Sequence, residues 1–194
     1  MFRRLSAALR ASQQANPGAT GFATGFVVMS AGDAASQCAA GHSQNIDMQR
    51  NLVSASYNGM VSPAFHRWYR LMDWLVPGLT PGRLVPKVLL SQIVTTGLNN
   101  PLFLCWCCHL EAWLQHDVQH DMDWAAVRQR TMAQIVREVP NLYGTSMLFW
   151  LPVTGANYAL IPDHLRILWV SSCSVLWGGF VSHIAHRSRT ETER

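Results

Sequence analysis

Charge disappears from four long stretches of the chain, and those gaps set its pattern. No Asp, Glu, Lys or Arg occurs in residues 11–32, 88–110, 139–162 or 167–186. Each gap is about as long as the roughly 20 residues that a helix needs to cross hydrocarbon. None is a plain run of Leu, Ile and Val. The second holds Ser91, Gln92, two threonines and Asn99-Asn100, and the third holds Pro140, Pro152 and Asn157. Lipid-facing helices that bury polar groups against one another have this composition. The buried helices of a soluble α-protein are the competing reading. Small residues recur four apart at Gly21 and Gly25, Gly155 and Ala159, Ser174 and Gly178, and Gly178 and Ser182, a spacing that lets helix backbones approach closely.

A further helix is predicted before the second gap, ending in HRWYRLMDWLVPG, residues 66–78. Ser56, Gly59, Pro63, His66, Arg70 and Asp73 follow at alternating steps of three and four, so they share one side of that helix. The side is small in its middle and polar at its end, and is expected to face the bundle interior. Arg70 and Asp73, three residues apart, are expected to pair. Trp68, Tyr69 and Trp74 suit a membrane–water boundary, and Pro77-Gly78 stops the helix.

Composition agrees with a membrane setting. Of 194 residues, 49% are hydrophobic and 13% charged, about half the charged share of an ordinary soluble domain; the mean hydropathy is +0.06. The N-terminal MFRRLSAALRASQQ carries Arg3, Arg4 and Arg10 with no acid before Asp33, and Phe2, Leu5 and Leu9 share a helical side up to Pro17-Gly18. Such an Arg-rich, amphipathic start has the composition of a mitochondrial targeting segment, or of a basic cap on the first membrane helix. Segment 67–87 sets Arg67, Arg70, Arg83 and Lys87 against Asp73, net +3. Segment 111–138 sets three arginines against Glu111, Asp117, Asp121, Asp123 and Glu138, net −2. The two are expected on opposite sides of the membrane.

Candidate chemistry changes this little. The five cysteines lie at 38, 105, 107, 108 and 173 without a disulfide framework, and the Cys105–Cys108 CxxC sits in an apolar run, as buried inert thiols would. His116 and His120 with nearby aspartates have metal-ligand spacing, yet they begin where a helix leaves the apolar zone, and a solvated helix end explains them equally well. No hydrolase, metalloprotease, nucleotide-binding or dinucleotide-binding motif occurs. The chain reads as a non-enzyme with no cofactor and no metal. Its net charge of +4 is scattered, not gathered into a stripe, which argues against direct nucleic-acid binding.

The order of several motifs resembles one family, the small organellar membrane proteins named after Mpv-seventeen and the peroxisomal membrane protein of twenty-two kilodaltons. Gly32-Asp33 with Gln37 is similar to its first-helix pattern. Asp47, Arg50, Gly59, Pro63, His66, Trp68, Tyr69, Asp73 and Pro77-Gly78 are similar to its second block. Asn157-Tyr158, Pro162, Arg166, Trp177, Ser182 and His186-Arg187 are similar to its C-terminal signature. Ser91-Gln92 stands where the family usually has Asp-Gln, Tyr158 where it usually has Phe, and Leu151 separates Trp150 from Pro152 where Trp-Pro is usually adjacent.

The resemblance implies an all-α integral membrane bundle of about four transmembrane helices with amphipathic extensions, in the mitochondrial inner membrane or the peroxisomal membrane. The expected organisation is a basic segment 1–17, one bundle domain 18–187 and a polar tail 188–194. Two functions are expected from the family. One is a small-solute pore or regulator of permeability, with Gly59, Pro63, His66, Arg70, Asp73, Gln92, Asn99, Asn157 and Arg166 as candidate lining residues. The alternative is a structural or assembly subunit of a larger mitochondrial complex, such as a ribosome or respiratory assembly. The expected partners are the lipid bilayer and either a second copy of the chain or such a complex.

Overall fold

A computed structural model describes residues 2–39, 46–115 and 122–177, and every element in them is helical. These are α1 (Phe2–Ala15), α2 (Pro17–Ala39), α3 (Met48–Leu75), α4 (Pro81–Leu114) and α5 (Trp124–Ala159), then a 3-10 turn (Asp163–Leu165) and α6 (166–177). The His116–Asp121 part of the metal-like cluster and the motif residues Gly178, Ser182 and His186-Arg187 lie outside the described residues.

Local chemistry sets the boundaries. Asn16 joins α1 to α2, its side-chain oxygen accepting from the Ala19 N–H at 3.1 Å, and Pro17 opens α2, where a missing N–H costs nothing. Asp47 caps α3 by accepting from the Arg50 N–H at 2.9 Å, and Asp123 caps α5 by accepting from the Ala125 and Ala126 N–H groups at 3.0 Å. Gly78 has φ +103°, a left-handed conformation that a side chain disfavours, and it turns the chain from α3 into α4.

Side-chain contacts show the helices running antiparallel in order. On α3 and α4, Trp106 donates to Ser56, Tyr57 to Asn99, Trp68 to Ser91 and Lys87 to Asp73. On α4 and α5 the pairs are Cys108 with Gln134, Asn100 with Ser146 and Gln92 with Thr154. Trp169 of α6 donates to the Val153 carbonyl of α5, and Gly32 of α2 lies against Val175 of α6. The described parts of segments 67–87 and 111–138 therefore fall at opposite ends of the bundle.

The glycine pair at 21 and 25 has its reason in the α2–α3 contact. A Cβ on Gly25 would sit 2.6 Å from the Asn58 carbonyl oxygen, and one on Gly21 would sit 3.5 Å from the Pro63 backbone nitrogen. These two helices touch backbone to backbone. Gly155 has nothing within 4 Å of where its Cβ would be, so the spacing of Gly155 and Ala159 marks no such contact.

The bundle is polar inside and apolar outside. On α4 the buried positions are Lys87, Val88, Ser91, Gln92 and Thr96, while Val85, Leu89, Leu90, Ile93, Leu98 and Leu102 are exposed. A soluble core has the reverse arrangement, whereas helices bathed in lipid turn their polar groups toward one another. By length and composition, α4 among the described residues is long and apolar enough to cross a membrane. The apolar core itself is small, built on Tyr69, Met72, Val88, Tyr158 and Ile167.

Candidate functional site

A cavity of about 340 Å³ lies among α2, α3, α4, α5 and α6, within the size range of small-molecule sites. From α3 it is lined by Tyr57, Asn58, Phe65 and Tyr69, and from α4 by Gln92, Thr96, Asn99 and Asn100. Its polar wall is cross-linked. Tyr57 donates to the side-chain oxygen of Asn99 at 2.7 Å, Thr154 donates to the side-chain oxygen of Gln92 at 2.9 Å, and the Gln92 side-chain amide also donates to Thr96. At one end the lining reaches Asp33, Arg50 and Glu138; at the other it stops at Tyr69, Gln92 and Thr154.

Beyond that second end lies a charged cluster that does not line the cavity. Lys87 is 1% exposed and donates to Asp73 at 2.8 Å. Arg166, itself buried, pairs with the other oxygen of Asp73, donates to the Ile161 carbonyl at 3.4 Å and lies 3.7 Å from Asp163. One carboxylate thus serves two buried cations. Both cations also stand over the Tyr158 ring, at 5.2 and 5.5 Å from its centroid, where the ring's negative face attracts them. Tyr158 meets Tyr69 edge-on at 5.6 Å between centroids, and its hydroxyl lies 3.1 Å from Ser91 Oγ, which accepts from Trp68 at 2.9 Å. Ser91 and Tyr158, two positions that depart from the resembled pattern, are thus hydrogen-bonded to each other. The Ser91 hydroxyl thus links Trp68 to Tyr158.

The opposite end is built on Asp33. This buried carboxylate takes Arg50 at 3.0 Å, the Gln37 amide at 2.7 Å and the Asn51 amide at 3.3 Å. Gln37 also accepts from the Asp47 N–H at 2.7 Å, which ties the end of α2 to the start of α3.

The residues singled out from sequence separate into groups. Gln92 and Asn99 line the cavity. Gly59 and Pro63 instead face α2, a Cβ on Gly59 meeting the Phe22 ring at 3.0 Å. His66 and Arg70 line a second pocket under α1, and Asp73 and Arg166 belong to the charged cluster. Asn157 is fully buried, and neither polar atom of its side chain has a partner among the described residues. The Arg70–Asp73 pair expected from spacing does not form. Arg70 is exposed, and Lys87 and Arg166, from other elements, hold Asp73. Trp68 and Tyr69 are directed inward to Ser91 and Tyr158 rather than to a boundary, and only Trp74 of the three is exposed. Gly32 packs on Val175, Pro162 precedes the 3-10 turn and Trp177 meets Phe149 at a tilt of 38°. Sequence reasoning placed Lys87 among the basic residues outside the apolar zone. Its one signal was the four-residue step from Lys87 to Ser91, which sets it one helical turn from a polar position of the charge-free stretch.

The sequence model of the Mpv17 / PMP22 family matches residues 126–182. The bovine mitochondrial inner membrane protein Mpv17 is 33% identical over 139 residues, covering 71% of this chain and 72% of that protein. The chain belongs to the Mpv17/PMP22 family. The rat Mpv17 protein is 32% identical over the same shares of both chains. The Arabidopsis thaliana peroxisomal membrane protein PMP22 is 28% identical over 171 residues, covering 87% of this chain and 83% of that one. No solved structure matches the chain. Family membership makes the polar-inside bundle that of an organellar membrane protein. The Mpv17 relatives assign it to the mitochondrial inner membrane, with the peroxisomal membrane of the PMP22 relative as the alternative.

Proposed function

We propose that the chain is a small-solute pore or regulator of permeability whose path is the central cavity, held shut at one end by the Asp73 cluster. The observation that carries this reading is the cavity itself: polar groups converge on open space in the part of the bundle where the outer surface is apolar. Intramembrane polarity of this kind is a functional-site signal by default. In this reading α2, α3, α4 and the second half of α5 cross the bilayer. Arg50 and Asp73 mark the two ends of α3, about 35 Å apart at 1.5 Å per residue, close to the roughly 30 Å of hydrocarbon. Solutes enter past Asp33, Arg50 and Glu138 and meet the amide and hydroxyl wall. They are stopped where Tyr69 and Tyr158 close the lumen and the ion pairs brace them. The wall offers donors and acceptors without a fixed charge, so it suits small polar solutes better than bare ions.

Planar-bilayer recording tests this. The purified Asp73→Asn chain, its closed end released, is expected to conduct where the parent does not, and Asn99→Asp added to it is expected to shift the reversal potential toward cations, because the new carboxylate still accepts from Tyr57 while charging the lumen. Silent bilayers from monodisperse Asp73→Asn protein, together with stoichiometric co-purification of the parent in a large complex, would replace the pore by an assembly subunit.

A further inference from the structure

A second pocket, of about 590 Å³, lies between α1, the end of α3 and the 3-10 turn. Its lining differs from that of the central cavity. Arg10 and Gln13 enter from α1, His66 and Arg70 from α3, and Asp163 and His164 from the turn. Two of these side chains are nine-tenths or more buried yet have polar atoms without partners among the described residues: Gln13 Oε1 and His66 Nδ1. A buried polar group left unpaired costs about 1–3 kcal/mol, so two such side chains in the lining of one pocket favour a ligand that pairs with them. The charges name its sign. Two guanidiniums line the space, and its single acid, Asp163, is turned toward Arg166 at 3.7 Å.

We infer that this pocket binds a phosphate-bearing anion. The guanidinium is a planar fork of donors that matches phosphate oxygens two at a time. His66 donates through Nδ1 when its proton sits there, and Gln13 donates once its amide is turned over, since carboxamide oxygen and nitrogen exchange places on a half rotation. The pocket lies toward the end of the bundle where α3 finishes and α4 begins, and Trp74, one turn beyond Arg70 on α3, is exposed. That is the depth of lipid headgroups, where basic side chains meet anionic lipid. The phosphate therefore comes either from a lipid headgroup or from a soluble phosphate compound. α1, with the composition of a targeting segment, is in this account also one wall of the site, packed against α2 and the 3-10 turn. The inference stands independently of the pore.

The test uses the full chain in an uncharged detergent, with thermal unfolding followed by tryptophan fluorescence. Inorganic phosphate is compared with chloride at equal ionic strength, and dihexanoyl phosphatidate with dihexanoyl phosphatidylcholine. A saturable rise in Tm is expected with phosphatidate. Its half-saturating concentration should increase roughly tenfold in Arg10→Gln and in Arg70→Gln, each losing a charged hydrogen bond, and should not change in Arg130→Gln, far along α5. Both lining arginines are exposed, so the variants keep the fold. An equal rise with inorganic phosphate assigns the site to soluble phosphates, and a rise with phosphatidate alone assigns it to lipid. No saturable rise with either probe, or an unchanged response in both lining variants, overturns the inference.

Discussion

Asp33 and Asp73 sit at opposite ends of the bundle, each in an ion pair, and the two pairs are built the opposite way round. Asp33 is 5% exposed at its side chain, while its cation, Arg50, is half in solvent. Asp73 is 37% exposed, while its cations, Lys87 and Arg166, are 1% and 9% exposed. One end buries an anion that neutral amides help to hold; the other buries two cations that share the Asp73 carboxylate, with Asp163 a more distant second partner for Arg166 alone. The difference predicts which end can open. Loss of the Asp33 charge releases Arg50 into water, but loss of the Asp73 charge leaves two positive groups buried over one tyrosine ring. The Asp33 end also lines the cavity, and the Asp73 end does not.

The largest expected effect is therefore that of Asp73→Asn. Removing one partner of a buried pair costs about 3–5 kcal/mol, and thermal or denaturant unfolding in detergent should register a loss of that size. A second change, Lys87→Met, should recover part of it, because coupled sites are not additive. Asp33→Asn should cost less, about 1–2 kcal/mol, since the amide retains an oxygen for Gln37 and Asn51. Equal losses at the two ends would erase the contrast. Tyr158→Phe should cost about 1 kcal/mol, one hydrogen bond, because Ser91 keeps Trp68 as its donor. Arg70→Gln should lie within about 0.5 kcal/mol of the parent, as an exposed residue outside the Asp73 cluster. A loss as large as that of Asp73→Asn would return Arg70 to that cluster.

Much of the architecture was legible because it rests on local chemistry. The charge-free windows located most of the helices, Pro17 and Pro77-Gly78 located turns, and Gly21 with Gly25 announced the tight α2–α3 contact. What the periodicity of α3 could not give was which neighbour each face meets. Its small and polar side, through Gly59 and Pro63, packs on α2, whereas the cavity takes the side bearing Tyr57, Asn58 and Phe65. A seam for helix packing and a seam for a lumen have the same spacing. The Asp73 cluster was hidden for a different reason. Arg70 was the near candidate, one turn away, but Arg166 arrives from the first residue of α6, far along the sequence, and Lys87 from the next helix. Proximity along the chain is no guide to partners in a bundle whose helices lie antiparallel.

The central claim, a lumen reached from the Asp33 end and closed at the Asp73 end, is most directly tested by sided thiol labelling. Asn99→Cys would be placed in a chain whose five native cysteines are serine, reconstituted in one orientation, and exposed to a membrane-impermeant methanethiosulfonate. The account predicts fast labelling from the side of Asp33 and little from the side of Asp73, with access from both sides once Asp73→Asn is added. Labelling of the unaltered gate from the Asp73 side, at a rate equal to or above that from the Asp33 side, would contradict it.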